Sequence, residues 1–250
     1  MNFMRLFLTV CAALAVTGCA HPISVTPDDS KITRDASGPQ KIHATVGYYI
    51  SPESLAREVT TDGGGGDRTR YFPYRDIQSS FEKMLSNVFD GVSRIDAPGG
   101  AAAIAKSGVQ YVISPDIVTT SGSTSFVTWP PTNFTVDLTS NVRDASGKLV
   151  ASPRVVGNGQ AEFSDFKSNH GLAGQLAMAD ALTKMQRSLS ETSLSGSDAS
   201  IAPASKATIP TPPARGGASE RLAELKRLRD GGLISEADYE NKKKQILDSM

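Results

Sequence analysis

The stretch NFTVDLTSNV, residues 133–142, alternates apolar and polar side chains along its length. Its apolar positions are Phe134, Val136, Leu138 and Val142. Because successive side chains of a strand point to opposite faces, this period of two predicts a β-strand with one buried face and one solvated face. Such strands are typical of antiparallel sheets that are covered on one side only.

The segments on either side of this strand predict the rest of a sheet. Downstream, RDASGK at 143–148 has turn residues at the right spacing for a hairpin, and LVASPRVVGNGQAEF at 149–163 predicts the returning strand. Pro153 within it indicates a sheet edge or a bulge. Upstream, KIHATVGYYIS at 41–51 predicts a further strand, and VQYVISPDIVTT at 109–120 predicts a central strand buried on both faces.

Two further segments have the 3.6-residue period of amphipathic helices. Residues 74–92 place an apolar stripe at Ile77, Phe81, Met84, Leu85, Val88 and Val92. Residues 172–189 place a second stripe at Leu172, Leu176, Ala179, Leu182, Met185 and Leu189. The order of strands and helices predicts an α+β or α/β fold. We expect a single mixed-sheet sandwich domain with two main amphipathic helices, followed by a C-terminal two-helix hairpin.

The N-terminus has the features of an export signal. Arg5 precedes the apolar run LFLTVCAALAV, residues 6–16, which has the length of a signal core and is too short for a stable membrane span. The run leads into LAVTGCA, in which small residues precede Cys19. This box resembles the lipobox of bacterial lipoproteins. The resemblance implies that residues 1–18 are a signal peptide and that Cys19 is acylated, with palmitate as one acyl group.

The distribution of cysteine agrees with a lipid anchor. Cys11 lies within the predicted signal, so Cys19 is the single thiol of the mature chain and no internal disulfide can form. Several acyl chains on one residue give stable membrane attachment, whereas a single chain is marginal. Ala20 follows the cysteine, and by resemblance to enterobacterial lipoproteins a residue other than Asp there implies the outer membrane. The protein is therefore predicted to be anchored by lipid to the periplasmic side of the outer membrane.

Two segments have the composition of linkers. Residues 19–40 are polar and turn-rich and predict a flexible tether, and residues 193–218 are rich in Ser, Ala and Pro. Residues 41–192 are then the predicted α/β periplasmic domain. The formal net charge of zero gives no sign of the clustered basic surface that nucleic-acid binding requires, so we expect no nucleic-acid partner.

Side chains that could carry chemistry are few and scattered. His21, His43 and His170 have no second ligand at helical or turn spacing, so neither a metal nor a cofactor site is predicted. The glycines at 63–66 lack the Lys-Ser/Thr of a phosphate-binding loop and predict a loop tip. Trp129, which precedes two prolines, is either an exposed binding anchor or a ring packed under a rigid turn. No nucleophile or acid–base set can be assigned, and we expect no enzymatic activity.

The C-terminal stretch LAELKRLRDGGLISEADYENKKKQIL, residues 222–247, predicts two helices separated by a Gly-Gly pair. Ser235 and Asp238 have the spacing of a capping box at the start of the second helix. Residues 219–250 contain seven basic and seven acidic side chains, so the hairpin has no net charge with which to hold an anionic polymer or lipid.

This stretch resembles the SHOCT family of short C-terminal domains, whose pattern of a Leu-rich helix, then LIS-x-x-D-Y-x-x-K-K and a late Leu is filled here. The resemblance implies a partner-binding or oligomerising module without catalysis. The candidate partner-binding residues are Leu225, Leu228, Leu233, Ile234, Tyr239 and Ile246. The layout of residues 41–190 resembles the YajG-like group and the N-terminal domains of TolB and of curli-secretion lipoproteins.

These observations predict a non-catalytic outer-membrane lipoprotein that faces the periplasm and contacts membrane lipid through acylated Cys19. It would bind envelope components or protein partners, with self-association or a protein partner at residues 219–250. An alternative is an accessory lipoprotein of an outer-membrane transport or secretion system, channel-forming or channel-supporting, with the 133–142 strand and its partner as the membrane-crossing segments. A third possibility, an envelope hydrolase, requires carboxylates or His170 to converge in one pocket.

Overall fold

The computed structural model describes residues 20–34, 38–97, 108–123, 129–162, 164–165, 169–192 and 194, together with nine residues between 222 and 244. The strands in these ranges are β1 (Ala20–Pro22), β2 (Ile42–Tyr48), β3 (Val59–Asp62), β4 (Arg68–Tyr71), β5 (Phe89–Arg94), β6 (Tyr111–Gly122), β7 (Asn133–Asp144), β8 (Leu149–Ala151) and β9 (Arg154–Gln160). The helices are α1 (Pro52–Ala56), α2 (Pro73–Val88) and α3 (Leu172–Glu191), and a 3-10 turn spans Asp29–Lys31.

The strands form one large and one small sheet. In the large sheet the order is β5-β2-β6-β7-β8, and β9 also pairs with β7. Strand β2 runs parallel to β5 and β6, whereas β7 runs antiparallel to β6, β8 and β9. The small sheet has the order β1-β4-β3, with β1 parallel and β3 antiparallel to β4. The predicted mixed α+β architecture is therefore confirmed.

Helices α2 and α3 pack against each other, and α3 covers β7 and β9. The apolar side chains of β7 that the alternation singled out are all buried, with Phe134 the most accessible at 1%. The polar side chains that alternate with them are partly exposed. The alternation in β7 thus reflects a sheet that has helices on one face. A membrane-crossing strand is not needed to explain the pattern.

Strand β9 and helix α3 approach so closely that their backbones touch. A Cβ atom on Gly159 would lie 2.0 Å from the carbonyl oxygen of Ala173 and 2.5 Å from the nitrogen of Ala177, and one on Gly157 would lie 2.3 Å from the carbonyl oxygen of Ala177. The strand offers glycines and the helix offers alanines at the contact, so the small residues of both elements set the distance between them.

The helical patterns predicted both helices correctly, but the end of α2 and the buried face of α3 were predicted wrongly. Helix α2 ends at Val88, because Phe89 takes extended angles, and Val92 lies in β5 opposite Val46 rather than on the helix. In α3, Leu176 and Ala179 are only partly buried. The buried positions that face β9 are the small residues Ala173, Ala177 and Ala181, since only small side chains permit the close contact.

The prediction that β6 is buried on both faces was wrong for its second half. Val112 and Ile113 are buried, and β2 pairs with β6 only over this region, Val46 to Tyr48. Further along, Val118 is 60% exposed, because it lies on the face that the helices do not cover.

The turn and the edge that flank the returning strand are confirmed. Gly147 has φ of +88°, and the carboxylate of Asp144 accepts hydrogen bonds from the backbone N–H groups of Ser146 and Lys148. Hydrogen bonds from Ser146 also hold the pKa of Asp144 below its usual value. Pro153 lies between β8 and β9, where it interrupts the strand that pairs with β7.

The predicted flexible tether is the largest correction, because residues 20–34 pack against the domain. Val25 is 0% exposed and Ile32 is 1% exposed. The backbone N–H of Ile23 donates to the carbonyl of Arg70 at 3.0 Å, and that of Val25 donates to the carboxylate of Asp76 at 3.0 Å. Burial raises the pKa of Asp76, and the Val25 hydrogen bond partly opposes this. The polar composition of the segment concealed the few apolar side chains that enter the core.

Helix α3 holds the same N-terminal segment from the other side. A Cβ atom on Gly171 would lie 1.9 Å from the carbonyl oxygen of Ser24, so glycine is required where these two segments of the chain cross. Gln175 donates to the Ser24 carbonyl at 3.2 Å, and Gln186 donates to the Thr33 carbonyl at 3.1 Å. Residues 20–34 are therefore part of the folded domain.

Candidate functional site

The predicted lipidation site is directly followed in the sequence by the first strand of the domain. Cys19 itself lies outside the described residues, and Ala20 is the first residue of β1. In the parallel pairing of β1 with β4, Ala20 is opposite Arg68 and His21 is opposite Thr69. The small sheet therefore begins at the residue that follows the predicted lipidation site.

Trp129 lies between two imidazole rings next to this small sheet. The ring of His21 stacks on Trp129 with centroids 4.3 Å apart, and the ring of His170 meets it edge-on at 4.6 Å. The Nε2 atom of His21 is 4.0 Å from a carboxylate oxygen of Asp67. Trp129 remains partly exposed. We define His21, Trp129 and His170 as the anchor-side cluster.

The glycines at 63–66 hold the β3–β4 turn against the tryptophan backbone. The N–H of Gly64 donates to the carbonyl of Trp129 at 2.9 Å, and a Cβ atom on Gly63 would lie 2.3 Å from that oxygen. Gly65 and Gly66 have φ of +65° and +88°. The glycines therefore serve a close backbone approach and a tight turn.

The other histidine of the described residues, His43, forms one ion pair with an acidic side chain. His43 Nδ1 lies 2.7 Å from a carboxylate oxygen of Asp90, but the His43 side chain is 85% exposed. Within the described ranges, His, Cys, Asp and Glu side chains do not gather into a group of three that could hold a metal ion. None of the helices described here combines the length and hydropathy needed to cross a bilayer.

The described residues of the C-terminal hairpin are helical on both sides of the Gly-Gly pair. The guanidinium of Arg229, from the first helical segment, lies 4.4 Å from the ring centroid of Tyr239 in the second. Lys243 places its ammonium 5.4 Å from the same ring and 3.2 Å from a carboxylate oxygen of Glu240. Cation–π contacts of this kind join the two segments through one aromatic ring.

The six predicted partner-binding residues fall into two groups. Leu225 is fully buried within the chain, and Tyr239 is partly buried under Arg229. Leu228, Leu233, Ile234 and Ile246 lie outside the described residues. Leu225 is thus already covered by this chain, and a partner would reach it only if that cover were displaced.

Comparison with protein families identifies the C-terminal segment. Residues 220–247 match the family described as the Short C-terminal domain, SHOCT, which confirms the resemblance drawn from the sequence. The match falls inside the 219–250 hairpin. No curated protein matches the chain.

Comparison with solved structures finds proteins of low sequence identity to this chain. A Xanthomonas campestris protein of the DUF330 family is 13% identical, with 68% of this chain and 90% of that chain covered and a TM-score of 0.40. The PelC dodecamer from Paraburkholderia phytofirmans is 15% identical, with 62% and 95% covered and a TM-score of 0.34. A candidate lipoprotein from Caulobacter crescentus is 13% identical, with 46% and 77% covered and a TM-score of 0.27. Similarity at this level carries no information about activity.

The anchor-side cluster was missed by the sequence analysis. Its aromatic and imidazole side chains come from β1, from the residue before two prolines, and from a position two residues before the start of α3. No local spacing connects these positions, so only the packing of the N-terminal segment against α3 brings them together. Two signals were available, namely the position of His21 two residues after Cys19 and that of Trp129 before two prolines.

Proposed function

We propose that this protein is a non-catalytic outer-membrane lipoprotein that faces the periplasm and binds envelope components or protein partners. In this proposal, acylated Cys19 contacts membrane lipid and the hairpin at 219–250 mediates assembly. The proposal is supported by two independent features at opposite ends of the chain. They are the lipobox-like LAVTGCA and the match of residues 220–247 to the Short C-terminal domain.

The observation that carries the assembly role is the size of this hairpin. Chains below about 40 residues seldom bury enough surface to fold without a disulfide, a metal or another protein surface. The hairpin contains no cysteine, so a disulfide cannot supply the missing stability. It therefore requires apolar contact with a further surface, and the candidate residues Leu228, Leu233, Ile234 and Ile246 would supply it.

The charges of the hairpin favour a protein partner over an anionic polymer. The seven basic and seven acidic side chains of 219–250 cancel. Two of the basic groups, Arg229 and Lys243, already face the ring of Tyr239. The remaining candidate residues Leu228, Leu233, Ile234 and Ile246 are apolar, which suits a second copy of the hairpin or a comparable helical face.

The assembly role is tested by light scattering on the mature full-length chain over a range of concentrations. Deletion of residues 219–250 should lower the mass to that of a monomer. Tyr239→Ala should weaken self-association about tenfold, because the hairpin requires its partner surface to fold and losing the ring contacts within it costs about 1.4 kcal/mol. Tyr239→Phe is the matched control, because it keeps the ring under Arg229 and should assemble like the wild type. If the wild type and all of these variants are monomeric at every concentration, self-association is ruled out.

The anchor is tested separately in cells. Labelled palmitate should be incorporated into the wild-type protein and not into Cys19→Ala, and the variant should leave the membrane fraction. Equal labelling of both chains would show that Cys19 is not the acylated residue. Because this measurement does not involve the hairpin, either half of the proposal can fail alone.

A further inference from the structure

The distance between the predicted lipid anchor and the folded domain is a single peptide bond. Ala20 is paired in β1 with Arg68 of β4, and consecutive Cα atoms are about 3.8 Å apart. If residues 19–40 were a flexible tether, the r.m.s. distance between the anchor and the domain would instead be about 25 Å. The fold therefore fixes where the acyl chains leave the domain.

The attachment of this exit point is firm. Val25 and Ile32 insert into the core, and Asp76 accepts the Val25 N–H at 3.0 Å. Asp29 accepts hydrogen bonds from the hydroxyls of Ser79, at 2.5 Å, and Ser80. These contacts tie the N-terminal segment to α2, while the Ser24 and Thr33 carbonyls bind α3. A domain tied in this way stays within a short distance of its acyl chains, and a second contact is needed to set its orientation.

The surface next to the exit point has the composition of a membrane-interface contact. Trp129 is partly exposed, its ring lies 4.3 Å from that of His21, and His21 is two residues from Cys19. Tryptophan is enriched at the headgroup level of bilayers because its ring is apolar at one end and donates a hydrogen bond at the other.

We propose that the anchor-side cluster lies directly on the phospholipid headgroup layer, with Trp129 as its interfacial residue, and so holds the domain in one orientation on the membrane. This inference rests on the proposed acylation of Cys19. The acyl chains supply the affinity, and the cluster supplies the orientation. The end of the sheet at β8 then points away from the bilayer.

The length of strand β7 gives a known distance between two reporter positions for a test. Strand β7 starts at Asn133, close to Trp129, and Arg143 near its other end pairs with Leu149. Ten residues of antiparallel strand separate Asn133 from Arg143, or about 34 Å. Leu149 is 41% exposed, so a reporter there replaces a surface side chain.

The experiment uses the acylated full-length protein in phosphatidylethanolamine/phosphatidylglycerol vesicles that contain lipids brominated near the headgroup end of the acyl chain. Trp129 is the sole tryptophan of the chain, so its fluorescence needs no labelling. We expect its emission to shift to shorter wavelength and to be quenched severalfold more than the emission that the control variant Leu149→Trp adds to that of Trp129. The control protein carries its reporter at the far end of the same sheet.

Two results would overturn the inference, and they can be told apart. If palmitate labels Cys19 and the protein floats with the vesicles, but Trp129 is quenched no more than the Leu149→Trp reporter, the anchor stands and the orienting contact is wrong. If no acyl chain is attached to Cys19, the anchor fails and this inference fails with it. Circular dichroism of both proteins in detergent checks that Leu149→Trp leaves the fold intact.

Discussion

The substitution Ile32→Ala tests whether the N-terminal segment is part of the folded domain. Ile32 is 1% exposed and lies in the main core, although its neighbourhood in the sequence is polar. The carbonyl of Ile32, which accepts a hydrogen bond from Asn87 at 3.2 Å, belongs to the backbone and survives the change. The substitution therefore removes side-chain burial alone.

The cost follows from the carbons removed. Ile→Ala deletes three carbon atoms, each worth about 0.8 kcal/mol when fully buried, which gives roughly 2.4 kcal/mol. The cavity left behind adds to this, and buried Ile→Ala substitutions cost about 2–5 kcal/mol. We expect a loss of about 3 kcal/mol in the free energy of unfolding. With a slope of about 2 kcal/mol/M in urea, the midpoint should fall by about 1.5 M.

The assay is equilibrium unfolding in urea of residues 20–250, followed by the fluorescence of Trp129. Thr33→Ala is the matched control, because Thr33 is the next residue and its side chain is exposed. It should change stability by less than about 0.5 kcal/mol. If Ile32→Ala also stays within that limit, the segment is a tether after all, and the proposed orientation on the membrane loses its structural basis.

Two further predictions concern the domain. Gly159→Ala should destabilise the fold by about 1–3 kcal/mol or more, because its Cβ would meet the Ala173 carbonyl oxygen at 2.0 Å, whereas Gly122→Ala has open space and should be nearly neutral in the same thermal melts. Burial raises the pKa of Tyr48 to about 12, and the Glu82 carboxylate accepts its hydroxyl at 2.8 Å. The unfolded tyrosine ionises near pH 10, so this contribution to stability is fully present below pH 10 and is lost as the pH rises towards 12. Tyr48→Phe, compared with wild type by urea unfolding at pH 9 and pH 11, should lack this loss; an unchanged difference between the two proteins would contradict it.

Much of the fold could be predicted because its elements are locally encoded. The alternation in β7, the apolar stripe of α2 and the turn around Gly147 each depend on neighbours within one element. The SHOCT-like hairpin was predictable for the same reason, since its caps and leucines follow a short local pattern. The predictions were less accurate where a side chain's burial depends on which element lies opposite, as at Val118 and Leu176.

The sequence by itself determined the lipobox-like stretch LAVTGCA, the mixed α+β class and the C-terminal hairpin, because each depends on patterns within continuous stretches of residues. The tertiary structure decided that residues 20–34 are packed rather than flexible, since two buried side chains and a series of hydrogen bonds from α2 and α3 outweigh their polar composition. It also brought His21, Trp129 and His170 together, because the rings come from distant parts of the chain and meet only when that segment packs against α3.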